Sequence, residues 1–309
     1  MTDIGASKDN PEVAAAVTLL EADPDFRVIR RLAIRSEFSA TPTGPLPVAV
    51  IIDTETTGTS HDRDQIIEVG IVRFEYEPDS GQVVRVTDVY SGLEDPGRTI
   101  PPESTAIHGI TDDMVAGKRL DESRITAIVK DATLVIAHNA AFDRPFMEAR
   151  MPLFAGLPWA CSFAQVPWAD EGFRSAKLEY LGWLSGFFYD AHRSEIDCRA
   201  LLEVLRRPLP KSGHIGLRKL LAAASEPALR LWATGSPYET KDVLRVRGYR
   251  WDAERRCWHR VVPRSIAKEE SEWLKAAVYG GRPAQIDVEV LDSRVRFSAR
   301  PGPRKPRVL

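Results

Sequence analysis

Long apolar runs and paired cysteines are both missing from this sequence of 309 residues. Apolar runs such as residues 48–52 are far shorter than the ~20 residues that a membrane-spanning helix needs. The N-terminal segment has no apolar stretch after a basic start, so no secretory signal is predicted. The three cysteines, Cys161, Cys198 and Cys257, are scattered and form no Cys-x-x-Cys pair, which argues against a disulfide framework and against a structural zinc site. These absences predict a cytoplasmic protein that is not embedded in a membrane.

The net charge of −2 conceals a strong asymmetry between the two parts of the chain. Residues 1–205 carry 19 Lys and Arg against 33 Asp and Glu, whereas residues 206–309 carry 23 against 11. A charge step of this size indicates two units with different surfaces. The basic half is expected either to bind a polyanion such as nucleic acid or to dock on the acidic half.

The pattern of apolar and turn-forming residues predicts an α/β protein with a mixed β-sheet and a smaller α+β C-terminal domain. Two runs, 66–74 and 83–90, flank a turn-rich segment and predict a hairpin, and the run 25–37 predicts a second short helix after one at 10–22. Residues 285–299 are expected to hold two short strands. The predicted division is an N-terminal helical extension and linker over 1–46, a main domain over 47–207, a linker with a short helix over 208–228, a small basic domain over 229–300 and a disordered tail over 301–309.

Two acidic residues, Asp53 and Glu55, follow directly after the apolar run 48–52. Because side chains in a strand alternate between faces, residues two apart lie on the same face. Neighbouring carboxylates repel unless a cation or a proton joins them, and hard ions such as Mg²⁺ or Mn²⁺ prefer oxygen ligands. The pair alone is equally compatible with an ordinary polar strand end.

Two further acidic positions belong to segments that begin helices. Asp143 lies in the first turn of a helix predicted over 140–150, where capping is the simpler explanation for an acidic residue. Asp197 lies in a helix predicted over 194–206, and His192 precedes that helix. A histidine beside several carboxylates is suited to act as a general base, because its charge changes near neutral pH.

Taken in order, these segments resemble the DnaQ-like exonucleases of the DEDDh class. Asp53-Thr-Glu-Thr-Thr-Gly resembles their first motif, His138-Asn-Ala-Ala-Phe-Asp143 the second, and His192 with Asp197 the third. A segment containing His108-Gly-Ile resembles their usual His-Gly-Ile segment. The resemblance covers about residues 47–207 and implies an RNase H-like mixed sheet flanked by helices. Ser194 and Glu195 depart from the pattern, since many members have small residues after the histidine.

The resemblance also implies a two-metal mechanism of phosphodiester hydrolysis at the 3′ end of a nucleic acid. The implied ligands of two divalent ions, Mg²⁺ or Mn²⁺, are Asp53, Glu55, Asp143 and Asp197, and His192 is the implied general base. The expected contacts to the terminal nucleotide are the segment with Thr54, Thr56 and Thr57, together with His108 and Phe142. For His108 an ordinary loop position and for Phe142 a core position are equally open.

The resulting interpretation is a metal-dependent 3′–5′ exonuclease that acts on DNA in repair or processing. The His-Gly-Ile-Thr segment favours DNA as the partner over RNA, although an exoribonuclease is the main alternative. A nucleic-acid-binding protein without activity is the alternative from another class. No clamp-binding peptide follows the main domain, so a contact with a polymerase or clamp is not predicted.

The C-terminal unit is rich in aromatic and basic residues. In the segment 249–260, aromatic side chains alternate with arginines, a composition that is suited to single-stranded nucleic acid. A domain of this size also needs large side chains for its core. We therefore expect Trp251 and Trp258 to lie in the core and the exposed arginines to contact nucleic acid.

Overall fold

The computed structural model describes residues 10–38 and 44–309, which form two five-stranded sheets, a two-stranded ribbon and the surrounding helices. The strands are β1 (Arg30–Arg31), β2 (Val48–Thr56), β3 (Ile66–Tyr76), β4 (Val83–Leu93), β5 (Leu134–Ala137), β6 (Trp159–Cys161), β7 (Phe187–Phe188), β8 (Ala228–Trp232), β9 (Arg250–Asp252), β10 (Cys257–Pro263), β11 (Gln285–Leu291) and β12 (Arg304–Val308). The helices are α1 (Pro11–Ala22), α2 (Pro102–His108), α3 (Asp112–Val115), α4 (Glu122–Val129), α5 (Ala140–Arg150), α6 (Ser162–Gln165), α7 (Leu178–Leu184), α8 (Ser194–Leu205), α9 (Gly216–Ser225), α10 (Lys241–Val246) and α11 (Ala267–Trp273), the last continued by a π-helical turn, Leu274–Val278. None of the helices in the described ranges is long and apolar enough to cross a bilayer.

The larger unit is built on a mixed sheet with the strand order β4-β3-β2-β5-β6. β2, β3 and β4 are antiparallel, whereas β5 and β6 run parallel to β2. The predicted hairpin is therefore confirmed, and its turn contains Gly81 at a φ of 72°, which glycine adopts without strain. Parallel neighbours need a crossover connection, and α5 supplies it between β5 and β6. The fold class is α/β with a mixed sheet, as predicted.

Helices cover both faces of this sheet. On β2, Ile51 belongs to the cluster that includes residues of α8, whereas Val50 and Ile52 belong to the cluster that includes residues of α4 and α5. All three side chains are completely buried. A strand buried on both faces is apolar at consecutive positions, which explains why residues 48–52 form an unbroken apolar run.

The C-terminal unit contains the second sheet, which has the order β12-β11-β8-β10-β9 and is antiparallel throughout. Helices cover one face of it, where Leu231, Val262 and Leu274 form a small core. Trp258 packs against this core as predicted. The prediction was wrong for Trp251, which is 50% exposed, because it lies on the short edge strand β9.

Two sequence-based predictions at the chain ends were wrong. Residues 25–37 do not form a helix, since their backbone pairs in extended form with distant segments: Leu32 N–H donates to Phe188 O and Phe38 N–H to Val84 O. Tertiary hydrogen bonds here outweigh the local apolar pattern. The tail predicted as disordered forms β12, which pairs with β11. Residues 292–299 hold no strand, so the second strand expected at 285–299 lies further along the chain.

The segment 208–228, predicted as a linker with a short helix, contains that helix but is not a free connection. Leu209 is buried, and Leu217 and Leu220 of α9 are completely buried in the cluster that α8 and β2 share. The helix α9 is thus part of the core of the larger unit. The linker expected at the end of residues 1–46 extends over positions outside the described residues.

A fully buried arginine joins the two units. Arg144 on α5 donates hydrogen bonds to the backbone carbonyls of Ser293 at 3.1 Å, Arg296 at 2.7 Å and Arg294 at 2.5 Å, all in the loop after β11. Its Nε also donates to Glu148 at 2.6 Å. These contacts attach the C-terminal unit to the helix that carries Asp143.

Electrostatic attraction between the acidic and basic halves contributes little to this attachment. Within residues 10–38 and 44–309, the ion pair between Arg300 and Glu148, at 3.2 Å, is the one that links the C-terminal sheet unit to the larger unit. The other hydrogen bonds across this boundary include those from arginines to backbone carbonyls, such as Arg296 to Ala223 O at 3.0 Å, and one from Ser298 Oγ to Glu148 at 2.6 Å. Most of the basic charge of the C-terminal unit is therefore not neutralised by docking.

Replacing Arg144 by alanine should destabilise the whole chain by about 3 kcal/mol or more, because buried carbonyls and a carboxylate would lose their donor. Urea unfolding measures this free energy. Lys118→Ala, which removes an exposed cation, is the matched control and should change stability by less than about 0.5 kcal/mol. Equal stability of the two variants would show that the buried contact is not a structural anchor.

Candidate active site

The predicted acidic pair lies at the end of β2, in the middle of the main sheet. In the register with β3, Asp53 lies opposite Gly70 and Glu55 opposite Glu68. Residues directly opposite each other share a face of the sheet, and α8 lies over this face. The alternation predicted from the sequence therefore places both carboxylates beneath the N-terminal end of α8.

Gly70 is the residue that allows α8 to approach so closely. A Cβ built on Gly70 would lie 2.3 Å from the backbone N of Glu195 and 2.3 Å from the carbonyl carbon of Ser194. Backbone atoms of a helix cannot move away without displacing the helix itself. Gly70 thus sets how near the first turn of α8 comes to Asp53.

The close approach brings three carboxyl groups together. Ligand oxygens of Asp53, Glu55 and Asp197 lie within 4.8 Å of one another. Asp197 lies in the first turn of α8, where its Oδ2 accepts a hydrogen bond from Arg193 N–H at 3.0 Å. The positive end of the helix dipole favours a carboxylate at this position.

Asp143 reaches the same edge from the opposite layer of helices. It is 3% exposed, and its Oδ1 accepts hydrogen bonds from Thr54 N–H at 3.1 Å and from Thr54 Oγ1 at 2.9 Å. Thr54, predicted to contact substrate, is thereby engaged in holding Asp143. The site lies where the N-terminal turns of α5 and α8 meet at one end of β2.

Burial raises the pKa values of all four carboxyl groups, and repulsion by acidic neighbours adds to the rise for Asp53 and Glu55. Burial is the largest cause for each of them; it raises the pKa of Glu55 to about 8, that of Asp143 to about 7 and that of Asp197 to about 6. The pKa of Asp53 is raised well above its ordinary value by burial and by the charges of its acidic neighbours, Asp143 first among them. Such a group of hard oxygen donors fits a divalent cation, which would stabilise the ionised form of every member.

Glu68 is a structural member of the site that the sequence analysis missed. It is 1% exposed and accepts hydrogen bonds from Ser194 N–H at 3.0 Å and from Arg193 Nη2 at 3.0 Å. It therefore holds the start of α8, and with it the segment from His192 to Asp197. The available signal was a glutamate and a glycine within the apolar run Ile-Ile-Glu-Val-Gly, since a charge in a buried strand needs a partner.

His192 lies in the loop just before α8, is exposed and has a φ of 65°. This left-handed conformation is unfavourable for residues other than glycine and persists where neighbouring contacts hold the chain. Those contacts are made by Arg193 and Ser194 to Glu68. The charge of His192 is close enough to lower the pKa of Asp197, so the structure brings the predicted base to the predicted ligands.

The remaining residues predicted to contact substrate lie around the same strand end. Thr56 and Thr57 are buried, and the Thr57 hydroxyl accepts from Arg98 Nη2 at 2.6 Å. His108 is 6% exposed, its Nδ1 accepts from Ile110 N–H at 3.0 Å, and within the described residues its buried Nε2 has no partner. Phe142 is half-buried and packs on Phe146 with ring centroids 5.0 Å apart. Their contacts with substrate stay a prediction.

Comparison with known proteins identifies the larger unit. A profile of the family described as "Exonuclease" matches residues 50–205, which include every residue of the acidic cluster. The chain belongs to the exonuclease family. It is a DnaQ-like 3′–5′ exonuclease of the RNase H-like superfamily, as the resemblance in its motifs predicted. The exonuclease family implies dependence on a divalent metal, and the acidic cluster supplies suitable ligands.

Individual relatives each match part of the chain. The DNA polymerase III subunit epsilon of Treponema pallidum (strain Nichols) is 34% identical over 165 residues, which are 49% of this chain and 72% of that protein. A DNA polymerase III PolC-type of Thermotoga petrophila is 30% identical over 62% of this chain, but the match spans only 14% of that protein. The solved structure of exonuclease X in complex with 5′ overhanging duplex DNA is 25% identical, with a TM-score of 0.43, and covers 57% of this chain and 99% of its own.

Replacing Glu68 by glutamine should lower the turnover rate of the exonuclease roughly 10–100-fold. The start of α8 then loses the carboxylate that attaches it, although none of the predicted ligand residues is replaced. Metal titration followed by single-turnover kinetics separates metal affinity from rate. Glu75→Gln on the same strand, which removes the pair with Arg85 at 2.7 Å, is the matched control and should retain its rate. Identical rates in both variants would contradict the positioning role.

Without metal, the free energy of unfolding of the exonuclease should fall as the pH rises from ~4 to about 8. Over this range the folded protein keeps protons on the acidic cluster that the unfolded chain has already released, so deprotonation favours unfolding. A divalent metal should therefore raise the unfolding midpoint more at the upper end of the range than at the lower end. Thermal unfolding with Mg²⁺ or with a chelator tests this.

The control for the pH experiment is Asp53→Asn, which removes one charge from the cluster. Its metal-free stability should depend less steeply on pH than that of the unchanged protein. A slope that remains the same in this variant would mean that other groups cause the pH dependence.

Proposed function

We propose that this exonuclease hydrolyses DNA from the 3′ end, releases nucleoside monophosphates, and uses Mg²⁺ or Mn²⁺ held by Asp53, Glu55, Asp143 and Asp197. The observation that carries the proposal is the cluster in which oxygens of Asp53, Glu55 and Asp197 lie within 4.8 Å of one another, with Asp143 fixed beside it by Thr54. Half-buried carboxyl groups with raised pKa values, such as Asp53 and Glu55, are costly unless they bind a cation. This cost is expected at a functional site.

Divalent ions held by Asp53, Glu55, Asp143 and Asp197 would supply stabilisation of the negative charge that develops on the attacking and leaving oxygens. The chain itself supplies the base and the geometry. His192 accepts the proton of the attacking water, a role suited to an exposed imidazole next to the carboxylate of Asp197. Glu68 keeps His192 in place through its contacts with Arg193 and Ser194.

The 3′-terminal nucleotide is proposed to lie against the segment from Thr54 to Thr57. His108 supports this proposal, because its Nε2 is buried and has no partner within the described residues. A substrate group that reaches this nitrogen would satisfy it. Phe142 adds an aromatic surface next to Asp143, where it can pack against a sugar or base.

DNA is proposed over RNA as substrate. In support, similar proteins include a subunit named for DNA polymerase III and a structure solved with duplex DNA. A role in repair or processing is proposed, since no clamp-binding peptide follows the exonuclease domain in the sequence. The alternative is an exoribonuclease, and the assay below distinguishes the two by substrate.

End-labelled single-stranded and double-stranded DNA and RNA should be incubated with the full chain and Mg²⁺ or Mn²⁺. We expect mononucleotide release from DNA 3′ ends, loss of activity with a chelator and recovery with either metal. Asp53→Asn and Asp197→Asn should nearly abolish the reaction, because each removes a ligand. His192→Ala should retain metal binding and lose about 10²–10⁴-fold in rate.

Asp113→Asn is the matched control, since it removes an exposed carboxylate on α3 that no step of the mechanism uses. It should retain the rate of the unchanged protein. Faster release from RNA than from DNA would favour the alternative substrate. Full activity in excess chelator would overturn the metal mechanism.

A further inference from the structure

One face of the C-terminal sheet is not covered by the helices of its own unit. The cross-strand registers place Trp232 opposite His259, and His259 opposite Arg250, so all three share this face. The other face carries Leu231 and Val262, which pack against α10 and α11. We call the uncovered surface the basic face, defined by Arg230, Trp232, Arg250, Arg255, His259 and Arg304.

Three arginines of the basic face pack around the ring of Trp232. The guanidinium carbons of Arg255 and Arg304 each lie 4.6 Å from the centroid of its ring, and that of Arg230 lies 5.7 Å away. The indole is only 3% exposed beneath them, so it cannot serve as a stacking platform for a base. It instead orients guanidinium groups, and a guanidinium over an aromatic ring keeps its in-plane N–H donors for a phosphate.

Acidic residues of the same unit compensate only part of this charge. Glu289 pairs with Arg230 at 3.0 Å, and Asp252 accepts the backbone N–H of Arg255 at 2.9 Å. Asp287 lies opposite Trp232 and adds a further carboxylate to this face. In residues 10–38 and 44–309, the guanidinium groups of Arg250, Arg255 and Arg304 have no carboxylate within 4.0 Å, the salt-bridge limit. All three are exposed. Guanidinium groups held near one another without ion-pair partners form a favourable site for an anion.

A groove connects the basic face with the exonuclease domain. Its cavity has a volume of about 830 Å³; Arg230, Arg250 and His259 lie on one wall, and His61 and Pro145 on the other. Glu226 is the one acidic residue that lines it within the described residues, and its Oε1 already accepts Ser265 N–H at 3.0 Å. The lining is therefore predominantly apolar and cationic.

An aromatic series links this groove to the acidic cluster. His61 packs edge-on against Phe146 with ring centroids 6.3 Å apart, and Phe146 packs on Phe142 at 5.0 Å. Phe142 immediately precedes Asp143. Phe146 itself is buried, so a strand whose 3′ end lies at the cluster would pass over the half-buried rings of Phe142 and His61 to reach the groove.

We propose that the basic face and its groove bind the single-stranded part of the substrate upstream of the scissile 3′ end, through phosphates. The proposal rests on the function proposed above and adds the path of the strand. Because the contacts would be made by guanidinium groups to phosphates, binding is independent of base sequence and weakens with salt.

The test compares two triple variants of the full chain that lose the same charge. Arg250→Ala/Arg255→Ala/Arg304→Ala removes the exposed cations of the basic face. Lys268→Ala/Lys305→Ala/Arg307→Ala removes exposed cations from the helix-covered side: Lys305 and Arg307 lie opposite core residues on β11, and Lys268 lies on α11. Neither variant touches a predicted ligand or the attachment at Arg144.

Both variants are measured on a long single-stranded DNA oligonucleotide and on a dinucleotide, which is too short to reach the basic face. The basic-face variant should have a KM for the oligonucleotide raised roughly tenfold, an unchanged kcat and an unchanged rate on the dinucleotide. The logarithm of the binding constant for the oligonucleotide should fall less steeply with the logarithm of the salt concentration. The slope should be smaller by about 2, since three arginines are removed and each single-strand phosphate contact contributes about 0.7. The control variant should behave like the unchanged protein on both substrates.

The outcomes separate this inference from the proposed function. If the unchanged protein cleaves both DNAs and the two triple variants have equal KM values and salt slopes, the basic face is not the path of the strand. If the unchanged protein cleaves neither the oligonucleotide nor the dinucleotide, the proposed function fails. The basic face is then tested by measuring how the oligonucleotide binds in the presence of chelator, with the same comparison of salt slopes. Should the triple variant not fold, Arg250→Glu alone carries the test, because this exposed side chain pairs with no described carboxylate.

Discussion

Mutual repulsion among carboxyl groups at the end of β2 is the constraint on which the rest of the exonuclease domain depends. Asp53, Glu55 and Asp197 would separate in water, yet the fold holds their oxygens within 4.8 Å. Two helix N-termini, those of α5 and α8, point their favourable dipole ends toward this place from opposite layers. The remaining repulsion favours binding of a cation. Burial raises the pKa values throughout the cluster, and the charges of acidic neighbours raise those of Asp53 and Glu55 further.

Holding such a cluster requires supporting residues behind the ligands. Gly70 permits the approach of α8, Glu68 attaches the start of that helix, and Thr54 fixes Asp143 through two hydrogen bonds. Neither Gly70 nor Glu68 needs to touch substrate. Their effect is to keep the ligands close before any ion binds, which reduces the conformational change that binding would otherwise require.

The C-terminal unit is joined to this framework at the residue next to a predicted ligand. Arg144 binds the loop after β11, while Asp143 beside it faces the cluster, so α5 contacts both units. Few charges are used in this attachment, and arginines around Trp232 remain available. In the proposal above, the phosphodiester bond is hydrolysed at the end of β2, and the single-stranded nucleic acid is bound on the basic face.

The sequence by itself determined the α/β class, the hairpin, the exonuclease family and the segments that form the acidic cluster, because these depend on local patterns: an apolar run, a turn, and acidic residues at fixed positions after strands. It failed for residues 25–37 and for β12, where backbone hydrogen bonds to distant segments decide the conformation. Only the tertiary structure decided the roles of Glu68 and Arg144 and the composition of the basic face. Each of these depends on which residues from remote parts of the chain lie opposite one another, and strand register and helix packing, which set that arrangement, are properties of the folded chain as a whole.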